Sequence, residues 1–97
     1  MQTHSPLGNL LRKLRGEAGY SVREAALALE KSPGYLSRVE ARGEMPSAEL
    51  ICEMAKLYGA DEGELLEIAK LQQLKTLESQ IEERHTRTLQ LFRKKGS

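Results

Sequence analysis

The chain has 97 residues, of which 39% are hydrophobic but only 4% aromatic, with a single cysteine and a formal net charge of +1. This length suits one small domain with an appended element, and a lone cysteine excludes an internal disulfide. No apolar run approaches the ~20 residues of a membrane span, and no signal-peptide pattern is present, so we expect a cytoplasmic protein that does not associate with membranes.

The charges are unevenly distributed along the chain. Residues 1–46 carry seven Lys and Arg against five Asp and Glu, residues 47–83 carry three against nine, and residues 84–97 carry five against none. A basic front, an acidic middle and a basic tail result. Because attraction to nucleic acid depends on the charge of one face rather than on the total, the small net charge does not exclude DNA binding.

The first two predicted helices are short, and each begins at a serine. Ser5 precedes Pro6 at the first helical position, and leucines then recur at the i, i+3, i+4, i+7 spacing of an amphipathic helix that ends near Gly19. Ser21 and Glu24 form a capping box, which opens a second helix with a narrow apolar stripe. Both patterns predict helices that pack on a shared core.

The third and fourth predicted helices repeat this kind of start. Ser32-Pro33 begins a third helix that Arg42-Gly43 closes, and Pro46-Ser47 begins a fourth that stops at Tyr58-Gly59. The fourth helix carries an apolar stripe of Leu50, Ile51, Met54 and Ala55. Cys52 is interpreted as a core residue rather than a redox sensor, because its neighbouring glutamates would not stabilise a thiolate.

A fifth helix is predicted to start at an acidic cap over residues 61–64, and no proline or glycine occurs from Leu65 to about Lys94. Such a helix extends ~45 Å, beyond the cover of a four-helix domain. Its apolar positions follow the spacing of a coiled-coil seam: Leu74, Leu77, Ile81, Leu91 and Phe92. We therefore expect residues 69–97 to form a C-terminal helix that pairs two subunits as a homodimer. The alternative is a hairpin near residues 82–86 that packs on its own domain.

Two short helices separated by a break of three or four residues have the layout of a helix-turn-helix. The segments LLRKLR at 10–15, GYS at 19–21 and YLSRVE at 35–40, followed by Gly43 and Pro46-Ser47, resemble the Xre type of regulator, related to Cro and the lambda repressor. The resemblance covers roughly residues 7 to 68. It implies an all-α, five-helix lambda-repressor-like DNA-binding domain, which we place at residues 1–68, with the long C-terminal helix following it.

In a helix-turn-helix the second helix enters the major groove, where its first residues reach base edges. This recognition helix is expected at about residues 32–41, and its candidate base contacts are Pro33, Gly34, Tyr35, Ser37 and Arg38. The candidate contacts to the DNA backbone are Ser21, Arg23, Lys31, Ser32 and Arg42. Arg38 suits a bidentate contact with guanine or, failing that, a phosphate contact. The family pattern makes Arg15 and Glu40 a structural ion pair between the first and third helices.

Two positions depart from the family pattern. Val22 stands where a glutamine commonly anchors the second helix on the DNA backbone, and Glu30 stands where glycine commonly makes the turn. A left-handed conformation costs a non-glycine residue ~1 kcal/mol. We therefore expect the turn to be reshaped.

The sequence thus predicts a sequence-specific, nucleoid-associated transcriptional repressor that binds an inverted-repeat operator of double-stranded DNA as a homodimer. Dimerisation would set two recognition helices about 34 Å apart, one turn of DNA. Because no constellation of nucleophile, base and metal ligands is present, we expect no enzymatic activity, metal or cofactor. The open alternative is a protein-interaction module, such as an antitoxin or antirepressor, whose acidic middle and last helix bind a partner protein.

Overall fold

The computed structural model describes the backbone of residues 5–96 and the side chains of residues 5–84. Within this range the chain is all-α and has five helices. The helices are α1 (Pro6–Glu17), α2 (Val22–Ala28), α3 (Pro33–Ala41), α4 (Ala48–Tyr58) and α5 (Glu62–Gly96). The predicted fold class and the predicted order of helices are confirmed.

Each of these helices begins at a side-chain cap that the local sequence supplies. The Oγ atoms of Ser5, Ser21, Ser32 and Ser47 and the Oδ1 atom of Asp61 accept the N–H three residues further on, at 3.0–3.1 Å. The first N–H groups of a helix have no acceptor within the helix, so each cap satisfies a donor and contributes ~1 kcal/mol. The predicted helix starts are confirmed.

One apolar core lies between the first four helices and the start of α5. α1 packs against α3, α4 and α5, while α2 packs on α3. The core consists of Leu7, Leu11, Ala25, Ala26, Leu29, Leu36, Val39, Leu50, Ile51, Met54, Ala55, Tyr58, Leu65 and Ala69. The predicted apolar stripe of α4 is buried in it. The prediction that Cys52 is a core residue is wrong, because Cys52 lies beside that stripe and is half-buried.

Helix α1 approaches α3 closely at Gly8. A Cβ atom there would lie 2.7 Å from the carbonyl oxygens of Val39 and Glu40, and 2.9 Å from Oγ of Ser5. Backbone carbonyls cannot move away without shifting α3, so this approach requires glycine. Gly8 therefore sets the distance between α1 and the end of α3.

The turn between α2 and α3 keeps a left-handed residue although that residue is a glutamate. Glu30 has a φ of +57°. Its N–H bonds the carbonyl of Leu27 at 3.1 Å, and the N–H of Lys31 bonds the carbonyl of Ala26 at 2.8 Å. These two bonds form a Schellman motif. The expectation of a reshaped turn is wrong, because this motif and the burial of Leu29 hold the turn against a strain of ~1 kcal/mol.

Helix α5 leaves the core and continues as a single rod. It is unbroken through residues 82–86, so the alternative of a hairpin there is wrong. The molecule measures 62 Å along its long axis and 25 by 21 Å across it. Among the described residues, no helix is long and apolar enough to cross a membrane.

Gln72 joins α5 to the start of α1. Its Oε1 accepts the N–H of Leu7 at 2.9 Å, and its Nε2 donates to Oγ of Ser5 at 3.3 Å. Further along α5, three described apolar side chains are exposed, at 45% for Leu74, 49% for Leu77 and 64% for Ile81. The side chains of the predicted dimerisation residues Leu91 and Phe92 lie outside the described residues.

Tyr58 buries a hydroxyl group that has no hydrogen-bond partner among the described residues. Burial, together with the nearby Glu40 carboxylate, raises the pKa of Tyr58 to about 12. An unpaired buried hydroxyl costs ~1 kcal/mol or more. We therefore expect Tyr58→Phe to raise the free energy of unfolding by about 1 kcal/mol in urea denaturation. Tyr20→Phe, on the half-buried neighbouring ring whose centroid is 6.3 Å away, is the matched control. Loss of stability in Tyr58→Phe would contradict the unpaired state.

Candidate nucleic-acid interface

The start of α3 presents an exposed face. The predicted base contacts Pro33, Gly34, Ser37 and Arg38 are exposed, and Tyr35 is half-buried. Tyr35 packs its inner side against the core while the rest of the residue stays accessible. The opposite face of α3 is buried, so the helix offers these residues from a rigid support.

Arg38 is held by a residue that the sequence analysis missed. Its Nε donates to Oε1 of Glu44 at 3.0 Å, and its guanidinium carbon lies 5.7 Å from the centre of the Tyr35 ring. Both members of the ion pair are exposed, with 47% and 41% of their side chains accessible. Because the bond uses Nε, it leaves the outer guanidinium nitrogens for another acceptor. Glu44 lies beyond the end of α3, where no periodicity predicts its position.

The N-termini of α2 and α3 differ in charge. At α2, Oγ of Ser21 accepts from the N–H of Glu24, and the N–H of Ser21 donates to the Glu24 carboxylate. These bonds lower the pKa of Glu24 below its ordinary value, and the bond from the backbone N–H of Ser21 contributes most. A carboxylate therefore faces any phosphate that approaches the start of α2. At α3, Ser32 caps the helix and no acidic residue lies in the first turn. A helix N-terminus attracts anions, so α3 is the better phosphate site.

The three predicted cationic contacts to the DNA backbone, Arg23, Lys31 and Arg42, are all exposed. Lys31 lines a depression of about 260 Å³ together with Glu49 and Glu53. These carboxylates reduce the positive potential at Lys31. Arg23 and Arg42 are therefore better candidates for phosphate contact than Lys31.

Arg12 is brought next to the candidate base contacts. It shares a depression of about 190 Å³ with Ser37, between α1 and α3. Val22 lines the same depression and packs against the core, in keeping with its lack of a hydrogen-bonding group. Arg12 is thus a further exposed cation at the edge of the α3 face. The sequence alone did not separate it from the other cations of α1.

Arg15 and Glu40 lie in direct contact and join α1 to α3. Nε of Arg15 donates to Oε2 of Glu40 at 2.8 Å, and Nη2 donates to Oε1 at 3.1 Å. Nη1 donates to the carbonyl of Tyr20 at 2.8 Å. Only 13% of the Arg15 side chain and 5% of the Glu40 side chain are accessible. The hydrogen bonding of the Arg15 guanidinium to the Glu40 carboxylate, which accepts, is the main reason that the pKa of Arg15 is raised. The pair is internal and holds α3 in place.

The order of the helices, the tight turn between α2 and α3 and the exposed face of α3 define a helix-turn-helix protein. Residues 6–68 match the model of the helix-turn-helix domain family, and the chain belongs to that family. The predicted resemblance to this class of regulator is confirmed, and the chain has the fold of a DNA-binding transcriptional regulator.

A solved structure supports the same assignment. The chain is similar to the clp gene regulator ClgR from C. glutamicum, with 32% identity, a TM-score of 0.60, and coverage of 74% of this chain and 95% of that chain. No curated protein matches the sequence. In the part of the chain that the structure describes, no group of three or more His, Cys, Asp or Glu residues is placed to hold a metal ion.

Proposed function

We propose that this chain is a sequence-specific transcriptional repressor that binds an inverted-repeat DNA operator as a homodimer. The observation that carries the proposal is the exposed N-terminal face of α3, which has no acidic residue in its first turn and bears Arg38. Such a face suits entry into the major groove. The similarity to a clp gene regulator supports a regulatory role.

In this proposal the contacts divide into two groups. Arg38 and Ser37 reach base edges, with Pro33, Gly34 and Tyr35 in apolar or sugar contact. Phosphates are bound by Arg23, Lys31, Arg42 and the capped N-terminus at Ser32, with Ser21 in a lesser role because its polar groups already bond Glu24. Phosphate contacts position the protein and base contacts give specificity.

Selection of bound duplexes from a random DNA pool, at low and at moderate salt, tests the proposal. We expect enrichment of an inverted repeat whose half-sites lie a whole number of helical turns apart. Weak binding that salt abolishes, without enrichment, would contradict sequence-specific binding. That outcome would favour the alternative of a protein-interaction module, whose surface includes the exposed acidic residues Glu49, Glu53, Glu64 and Glu67.

Arg38→Ala is expected to weaken operator binding by about 1–3 kcal/mol and to relax preference at one base pair. The reason is that the outer guanidinium nitrogens of Arg38 make the bidentate base contact. The measurement is fluorescence anisotropy on the selected operator and on duplexes that differ at each position. Arg42→Ala is the matched control, for which we expect uniform weakening and a smaller dependence on salt. Uniform weakening by Arg38→Ala would identify Arg38 as a phosphate contact instead.

Glu44→Gln is expected to raise affinity for random-sequence DNA by about two- to fivefold at low salt. The substitution removes a carboxylate 3.0 Å from Arg38, and it leaves Arg38 less well positioned for one base pair. The ratio of operator affinity to random-sequence affinity should therefore fall. Glu53→Gln, which makes the same charge change on α4, should raise the random-sequence affinity less. Equal effects of the two variants would mean that Glu44 acts through net charge alone.

A further inference from the structure

A small depression lies between α1 and α3, beside the start of α2. It has a volume of about 190 Å³. Its lining comes from all three helices and consists of Arg12, Arg15, Val22, Ser37, Glu40 and Ala41. Ser37 is one of the candidate base contacts, so the depression adjoins the face of α3 that the proposed function places in the major groove. A group that occupies the depression would therefore lie at the edge of that groove.

The charge that the depression offers to a ligand is the charge of Arg12. Arg15 and Glu40 are largely buried and bond each other at 2.8 and 3.1 Å, so their charges cancel locally. Val22 and Ala41 have no polar group in their side chains. The Arg12 side chain is exposed, and within the described part of the chain it makes no hydrogen bond or ion pair. The depression thus combines an unpaired guanidinium with the hydroxyl of α3.

These two groups suit an anion that has several acceptor oxygens. A guanidinium donates two parallel N–H groups to a phosphate, and the Ser37 hydroxyl adds a third donor. Arg12 lies three residues before Arg15, and residues at this spacing share one side of a helix, which here is the side of α1 that faces α3. Lys13 is also exposed, but it is not among the residues that line the depression. The position of Arg12 on α1, and not the charge of α1 as a whole, therefore defines the site.

DNA places phosphates at the edge of a bound helix. A helix with its side chains is ~10–12 Å across, and the major groove is ~12 Å wide. A helix that enters the groove therefore has a sugar-phosphate strand close on each side. Groups that flank the helix meet phosphates, whereas groups at its tip meet bases. Arg12 flanks α3 on the side of α1.

We propose that Arg12 binds a phosphate of the DNA strand that borders the groove on the α1 side of α3, with the Ser37 hydroxyl beside it. This inference rests on the proposed function and adds a phosphate contact from a helix outside the helix-turn-helix. Val22, the residue of α2 at the depression, has no hydrogen-bonding group in its side chain. Arg12 therefore supplies from α1 the contact that α2 does not make at this edge.

Fluorescence anisotropy on the full chain tests the contact with a matched pair of variants. Arg12→Gln should weaken binding to operator and to random-sequence DNA by about three- to tenfold at moderate salt. It should also reduce the slope of log affinity against log salt concentration by about one, with base preferences unchanged. Lys13→Gln makes the same charge change outside the depression, so it should weaken binding less than about twofold. Equal effects of the two variants would overturn the inference, as would a loss of base preference in Arg12→Gln.

Neutral phosphate analogues locate the contact on the DNA. The operator is prepared as a set of duplexes, each with one phosphate replaced by a methylphosphonate. At one position in each half-site, the replacement should weaken binding by the unmodified chain but not by Arg12→Gln, because the contact is already lost in that variant. If every replacement weakens both proteins equally, Arg12 contacts no phosphate and the inference is overturned.

The random-sequence duplex separates this inference from the proposed function, because a phosphate contact does not depend on base sequence. If no operator is enriched but Arg12→Gln weakens binding to random-sequence DNA more than Lys13→Gln does, the inference stands and sequence-specific repression is overturned. If an operator is enriched and Arg12→Gln binds it like the unmodified chain, the inference alone is overturned. Absence of any DNA binding by the unmodified chain would overturn both.

Discussion

Leu77→Lys combined with Ile81→Lys is expected to convert the proposed dimer to a monomer and to lower operator affinity by about 10²–10⁴-fold. Both side chains lie on the exposed apolar face of α5, with 49% and 64% of their surface accessible in the single chain. Two lysines in a helix seam cannot be buried without desolvating their charges. Once the subunits separate, each half-site is bound independently, and the advantage of linked binding is lost.

The matched control places the same two charges on the other side of the same helix. Thr76→Lys combined with Ser79→Lys changes exposed polar positions of α5 away from that apolar face, so the proposed dimer should persist. Sedimentation gives the oligomeric state, and anisotropy on a full operator and on a single half-site gives the affinities. Affinity for the single half-site should stay unchanged in both variants because α3 is intact. Full operator affinity in the Leu77 and Ile81 variant would contradict binding as a dimer through α5.

The helix boundaries were predictable because they depend on neighbouring residues. A serine or aspartate cap acts on an N–H three positions away, and proline after Ser5 and Ser32 fixes the first helical φ. The position of Glu30 was harder, since a glutamate with a φ of +57° contradicts local preference. Its conformation is decided by the packing of α2 against α3, which outweighs a strain of ~1 kcal/mol.

The candidate site was predictable only as far as it depends on helix faces. The exposure of Ser37 and Arg38 follows from the periodicity of α3. The bond from Arg38 to Glu44 depends on the path of the chain after α3, and the closeness of Arg12 to Ser37 depends on how α1 crosses α3. The need for glycine at position 8 has the same origin, since the carbonyls that it meets belong to α3. Distances between elements carry no signal in a single sequence.

Glu40→Ala is expected to lower the free energy of unfolding by about 3–5 kcal/mol, the range found when one member of a buried ion pair is removed. The Arg15 guanidinium would keep its bond to the Tyr20 carbonyl but lose both bonds to the carboxylate while remaining largely buried. Because marginal stability is typically 5–15 kcal/mol, this loss is a large fraction of the total. Urea denaturation followed by circular dichroism measures it.

Glu44→Ala is the matched control, because the same kind of residue is removed from an exposed pair with Arg38. An exposed pair contributes ~0–1 kcal/mol, so the two losses should differ several-fold. Similar losses of unfolding free energy in Glu40→Ala and Glu44→Ala would mean that solvent screens the Arg15 and Glu40 pair as strongly as a surface pair.

Replacing both Arg15 and Glu40 distinguishes two effects of the pair. One is the cost of leaving a buried charge without a partner, and the other is the positioning of α3 relative to α1. Arg15→Met combined with Glu40→Leu leaves no buried charge without a partner, so it should recover most of the stability that Glu40→Ala loses. If α3 is positioned mainly by apolar packing and by the close approach at Gly8, operator affinity should recover with stability. If the bidentate pair itself sets the angle of α3, the double variant should be stable but should bind the operator more weakly than the unmodified chain. Comparing unfolding and operator affinity in one variant therefore distinguishes a stabilising pair from a positioning one.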